Sequence, residues 1–117
     1  MEHKEALKAI DTIIAEINKK SIEPEAISEH LKHLRTFAVE EKRPVVAKTL
    51  RLAFEHIDEN ESFIIPIPTD EPLEGEEDDV PMITGDESLI YLLNLIKNSS
   101  NSQNLQEIRE YNRLMEI

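Results

Sequence analysis

The sequence predicts an all-α fold, a four- to five-helix up-and-down bundle with a long acidic crossover between helices 3 and 4. Three observations predict it. Apolar residues recur at spacings of three and four through most of the chain, the period of a helix that buries one face. Only two glycines occur in 117 residues, Gly75 and Gly85, so nothing interrupts the helical pattern elsewhere. Pro24 and Pro44 follow short polar connections, where the missing proline N–H suits the first position of a helix.

The first helix is expected from His3 to Lys20, with Leu7, Ile10, Ile14 and Ile17 on its buried stripe and Ala6 and Ile13 broadening it. Lys19 and Lys20 complement the dipole in its last turn. The second starts at Pro24, buries Ile27, Leu31, Leu34 and Ala38 with Phe37 beside them, and closes at Lys42 and Arg43. A residue before proline disfavours helical backbone, so Arg43 breaks the chain and Pro44 opens the third helix. One continuous helix kinked at Pro44 is the alternative. Val46, Leu50, Ala53 and Ile57 form the third stripe, flanked by Val45 and Phe54, with fraying near Asp58 to Glu61. The short connections imply antiparallel neighbours.

Helix 4 is expected from about Asp86, where Thr84 and Glu87 have capping-box spacing and Asp86 competes as the cap. Its run from Leu89 to Ile96 is apolar almost all round, which requires either a central position in the bundle or a subunit interface. At eight residues it falls far short of the ~20 that a membrane helix needs. A polar break at residues 98–102 leads to helix 5, capped by Asn101 or Ser102, with Leu105, Ile108, Tyr111 and Leu114 or Met115 inward. The 117 residues are read as one domain: a three-helix block over 1–60, the acidic crossover over 61–87, and a helix pair over 88–117.

Charge is the most informative feature for function. The chain carries 25 acids against 13 bases, a net of −12. Residues 61–87 hold ten of the acids and no base, whereas residues 1–60 balance 12 acids with 10 bases. Apolar groups flank this segment, Phe63, Ile64, Ile65 and Ile67 on one side and Val80, Met82 and Ile83 on the other. A linker that served only solvation would not carry them. The expectation is a bow whose feet pack on the bundle and whose acidic middle is exposed. Asp70, Glu71, Glu74, Glu76, Glu77, Asp78 and Asp79 are the candidate partner-binding residues, steering a basic protein into contact and hydrogen-bonding its Lys or Arg. Serving solubility alone is the competing reading, but solubility does not require clustering.

Other chemistries find little support. Placing Gly75 at the sixth position of a calcium loop puts Pro72 and Pro81 where ligands belong, and placing Gly85 there begins the loop at Val80, so an EF-hand is excluded. Weak, irregular binding of a divalent cation to the acidic segment is a minor alternative. His30 and His33, three apart and beside Glu29, have chelating spacing but lack the Glu of a His-Glu-x-x-His site and read as flanks of a helix stripe. His56 with Glu59 reads the same way, and His3 as part of a frayed end. There is no phosphate-binding glycine loop and no cysteine, hence neither thiol nucleophile nor disulfide. The reading is therefore a non-enzyme without cofactor or catalytic residues. Direct nucleic-acid binding is not expected from a net of −12, although a local basic patch at Lys42, Arg43, Lys48 and Arg51 is conceivable.

The expected function is a protein–protein interaction or regulatory role that engages a basic partner through the acidic segment, including inhibition by nucleic-acid mimicry. The second reading is a homodimeric assembly protein that pairs through Leu89, Leu92, Leu93 and Ile96 of helix 4. The N-terminus mixes acids with bases and has no apolar signal region, so no membrane association and a cytoplasmic location are expected.

Overall fold

The computed structural model describes residues 1–68 and 84–116. Five helices are present: α1 (Lys4–Lys20), α2 (Pro24–Glu40), α3 (Pro44–Asn60), α4 (Asp86–Lys97) and α5 (Ser102–Met115). The fold is all-α, and among the described residues no strand forms. Among the described residues no helix is long and apolar enough to cross a membrane.

Pro24 and Pro44 each open a helix as expected, so α2 and α3 are two helices and not one kinked rod. The turn between them is a Schellman motif. The Arg43 N–H donates to the Ala38 carbonyl at 2.9 Å and the Lys42 N–H to the Val39 carbonyl at 3.1 Å. Lys42 takes the left-handed conformation, φ 58°, that glycine usually fills at this position. His3 is not frayed. Its Nδ1 accepts from the Glu5 N–H at 3.1 Å and caps α1, while its ring lies 4.8 Å from that of Phe37. The Glu41 carboxylate reaches back to accept from the Glu2 N–H at 3.0 Å.

The helices close a ring in the order α1, α2, α3, α5, α4 and back to α1. Side-chain pairs fix the directions. His30 meets Glu16 at 2.9 Å and Glu41 caps residues 2 and 3, so α1 and α2 run antiparallel. Arg35 reaches the Ala47 carbonyl and Lys32 faces Asp58, so α2 and α3 do too. Ile22 bonds Asp86 while Met1 bonds Ile96, which opposes α1 and α4. Tyr91 with Glu107 and Ser88 with Tyr111 oppose α4 and α5. A ring of five cannot alternate throughout, and the alternation is interrupted where α5 crosses α3. Here Asn112 accepts from the Thr49 hydroxyl at 2.6 Å, and the Tyr111 ring faces Phe63 at 6.4 Å.

One core draws on every helix. The expected stripes of α2 and α3 are fully buried. In α1 the stripe is rotated: Ala6, Ile10, Ile13 and Ile17 are buried, and Leu7 and Ile14 are only half-buried. Both registers satisfy the helical period, and the neighbouring α2 and α4 select the one centred on Ile10 and Ile13. The apolar run of α4 is buried inside the chain, where the helix packs between α1 and α5. Leu89, Leu92, Leu93 and Ile96 are all 0 % exposed within the chain itself.

Candidate functional site

The seven acids singled out above, Asp70, Glu71, Glu74, Glu76, Glu77, Asp78 and Asp79, lie outside the described residues, as do Val80, Met82 and Ile83. The chain on either side is described. After α3 the backbone turns through Glu61, φ 56°, and leaves the helix. Burial then alternates over three residues, as it does along extended backbone. Phe63 is 0 % exposed, Ile64 55 % and Ile65 8 %. The Phe63 ring stands edge-on to His56 at 5.7 Å and lies beside Tyr111. His56 Nε2 accepts from the Ile64 N–H at 3.2 Å. Burial holds the pKa of this imidazole below its ordinary value, against the opposing field of Glu59.

The returning chain joins at the same place. The Gly85 N–H donates to the Phe63 carbonyl at 2.7 Å. Gly85 sits at φ +72°, a conformation in which any side chain would be strained, and it immediately precedes α4. Neither Thr84 nor Asp86 caps α4. The Asp86 carboxylate accepts instead from the Ile22 N–H at 3.2 Å and ties the α1–α2 connection to the start of α4. Beneath it, Tyr111 is wholly buried; its hydroxyl donates to the Ser88 carbonyl and accepts from the Ser88 hydroxyl, both at 3.0 Å. Burial raises the Tyr111 pKa above the ordinary phenol range. Tyr91 lies nearby on α4 and donates to Glu107 at 2.5 Å, a bond that raises its pKa to about 12. Both phenols are therefore neutral donors at physiological pH.

A second charged region lies at the other end of α3. Arg35, Lys42, Arg43, Lys48 and Arg51 surround an open groove of about 670 Å³ floored by Val39, Pro44 and Ala47. Val39 is 54 % exposed, one of two large apolar side chains among the described residues that open to solvent. A smaller hollow of about 390 Å³ continues from Pro44 and Lys48 to Arg109, Asn112 and Arg113 of α5. The patch conceived from the sequence is thus real and larger than expected. Sequence reading missed Arg35, Arg109 and Arg113, because only the packing of α2 and α5 against α3 brings them beside Lys48. Some of this charge is held in place. Arg35 Nε donates to the Ala47 carbonyl at 3.3 Å, Arg43 Nη2 to Ser99 Oγ at 3.4 Å, and Arg51 pairs with Glu55 at 3.2 Å. Lys48 pairs with Glu116.

The histidines are not brought together. His30 pairs with Glu16, while His33 stands edge-on to Phe37 at 5.2 Å. Among the described residues no group of three or more His, Asp or Glu side chains gathers as a metal site would require. No protein-family model, curated protein or solved structure matches the chain.

Proposed function

We propose that the chain is a non-enzymatic interaction protein of the cytoplasm that presents the acidic segment, Asp70 to Asp79, to a basic protein partner. One observation carries the reading: the 2.7 Å hydrogen bond from the Gly85 N–H to the Phe63 carbonyl. It places the end of α3 beside the start of α4, so a tight turn would suffice to join them. The residues between Phe63 and Gly85 span no distance that the fold needs covered. Connections this much longer than their gap, inside a compact domain, are usually either functional or linkers, and the clustered charge favours function here. What fills it is seven carboxylates without a single base.

Such a segment raises the encounter rate with a cationic surface and then forms charge-assisted bonds to its Lys and Arg. If that surface normally receives nucleic acid, the carboxylates occupy the place of phosphates and inhibit. The test replaces Glu74, Glu76, Glu77 and Asp78 by Lys. Association with a Lys/Arg-rich peptide is followed by stopped flow at about 20 mM and about 500 mM salt. The variant should associate at least about tenfold more slowly at low salt and nearly as fast as wild type at high salt. Affinity capture with both proteins then identifies the natural partner as one that only the wild type retains. Equal rates at both salt concentrations refute the proposal.

A further inference from the structure

We infer that the groove around the α2–α3 turn is a docking site for an acidic peptide segment of another protein, one with apolar side chains among its carboxylates. The residues that line this surface are not those of the acidic segment, and the inference does not depend on the function proposed for that segment. Charge complementarity and the nature of the floor together choose the occupant. The walls carry Arg35, Lys42, Lys48 and Arg51, and the smaller hollow adds Arg109. Arg51 and Lys48 pair with Glu55 and Glu116 on the surface, so a peptide carboxylate laid along the walls would exchange with those solvent-exposed pairs while it meets Lys42 and the Arg35 guanidinium.

The floor discriminates between anions. Val39, Pro44 and Ala47 form an apolar bed that would seat aliphatic side chains, which a phosphate backbone lacks. No aromatic ring lines the groove, so it offers single-stranded bases no stacking platform. The chain's net charge of −12 repels a long polyanion over its whole length, whereas a short peptide confined to the groove meets mainly the local cations. An acidic segment with interspersed Leu or Val therefore fits best. The contact is of the weak, transient kind, because the trough is small and open.

The test uses a fluorescent twelve-residue peptide of alternating Glu and Leu with polar ends, titrated with the full chain and read by anisotropy. Binding should be saturable. It should weaken about tenfold or more in the double variant Lys42→Glu/Arg51→Glu and severalfold in Val39→Ser. A control peptide with Ser in place of Leu should bind more weakly than the parent. The single variant Lys42→Gln, at an exposed position, serves if the double variant does not fold, and it should weaken binding in the same direction. The four-lysine variant of the acidic segment should bind the peptide as wild type does, which separates this site from the proposed one. Four results overturn the inference: absence of saturable binding, equal binding by the groove variants, tighter binding of a twelve-nucleotide single strand, and peptide binding that appears only in the four-lysine variant. The last would mean that the groove serves the chain's own acidic segment.

Discussion

Truncating Phe63 to alanine tests whether the acidic segment is anchored to the bundle. Phe63 is 0 % exposed, wedged between His56 and Tyr111, and its carbonyl receives the Gly85 N–H. Removing a fully buried phenylalanine costs about 3–5 kcal/mol, the lost transfer energy plus the cavity left behind. The side chain belongs to a connecting segment that can partly collapse into the space, so the lower end, about 3 kcal/mol, is expected. Against a total stability of about 5–15 kcal/mol the variant stays folded. With a urea slope of about 1–3 kcal/mol per molar, its midpoint falls by at least about 1 M. Ile64→Ala is the matched control, because the adjacent residue in the same connecting segment is 55 % exposed and should change stability by less than about 0.5 kcal/mol. Urea unfolding followed by circular dichroism measures both. Hydrogen exchange adds a local readout, since the Gly85 amide should lose protection in Phe63→Ala and keep it in Ile64→Ala. If the two variants lose the same small stability and Gly85 exchanges alike in both, the segment is not anchored at Phe63 and the base described above is wrong.

Two further outcomes follow from the same geometry. His56 is held below its ordinary pKa of 6.5 by burial, so the folded chain resists a proton that the unfolded chain accepts. The stability owed to the neutral ring is therefore whole above that pKa and lost as pH falls from it toward the depressed folded value. Thermal unfolding of wild type and His56→Gln at about pH 7.5 and about pH 5.5 should show the wild type losing more on acidification, and equal losses would contradict the assignment. Lys42→Gly should raise stability by about 1 kcal/mol, because glycine adopts φ 58° without the penalty a lysine side chain incurs. Denaturant midpoints measure it, and a loss of stability would show that Lys42 makes compensating contacts.

The sequence made the helices legible because its punctuation was local. Pro24 and Pro44 define starts, Asn101 caps α5 by accepting from the Gln103 and Asn104 N–H groups, and the apolar period picks the inner face. What it could not decide depended on distant neighbours. Ile13 and Ile14 are adjacent and equally apolar, so only the packing of α1 decides which turns inward. Thr84 and Asp86 both looked like caps of α4, but Asp86 answers to Ile22, 64 residues away. The base of the acidic segment rests on a bond between residues 63 and 85, and nothing in a linear reading pairs them. The basic groove was half legible. Lys42, Arg43, Lys48 and Arg51 are close in sequence, whereas Arg109 joins them only through the crossing of α5 over α3.

Net charge describes the field that a partner feels from afar, and contact is governed by a shorter length. At physiological salt that length is about 8 Å. The 17 residues of α3 rise about 25 Å, so Pro44, where the groove begins, stands roughly three screening lengths from the far end of the helix, while Arg51 lies about midway. Setting aside the seven acids from Asp70 to Asp79, the remaining 18 acids face 13 bases, a net of only −5. Seven of those bases line the two hollows at the α2–α3 turn. The rigid element between the two ends is α3 itself, packed on both α2 and α5. On the two proposals above, partners of opposite charge are therefore assigned to surfaces that meet on one helix, the basic groove lined by its first turns and the acidic segment leaving the chain beyond its last.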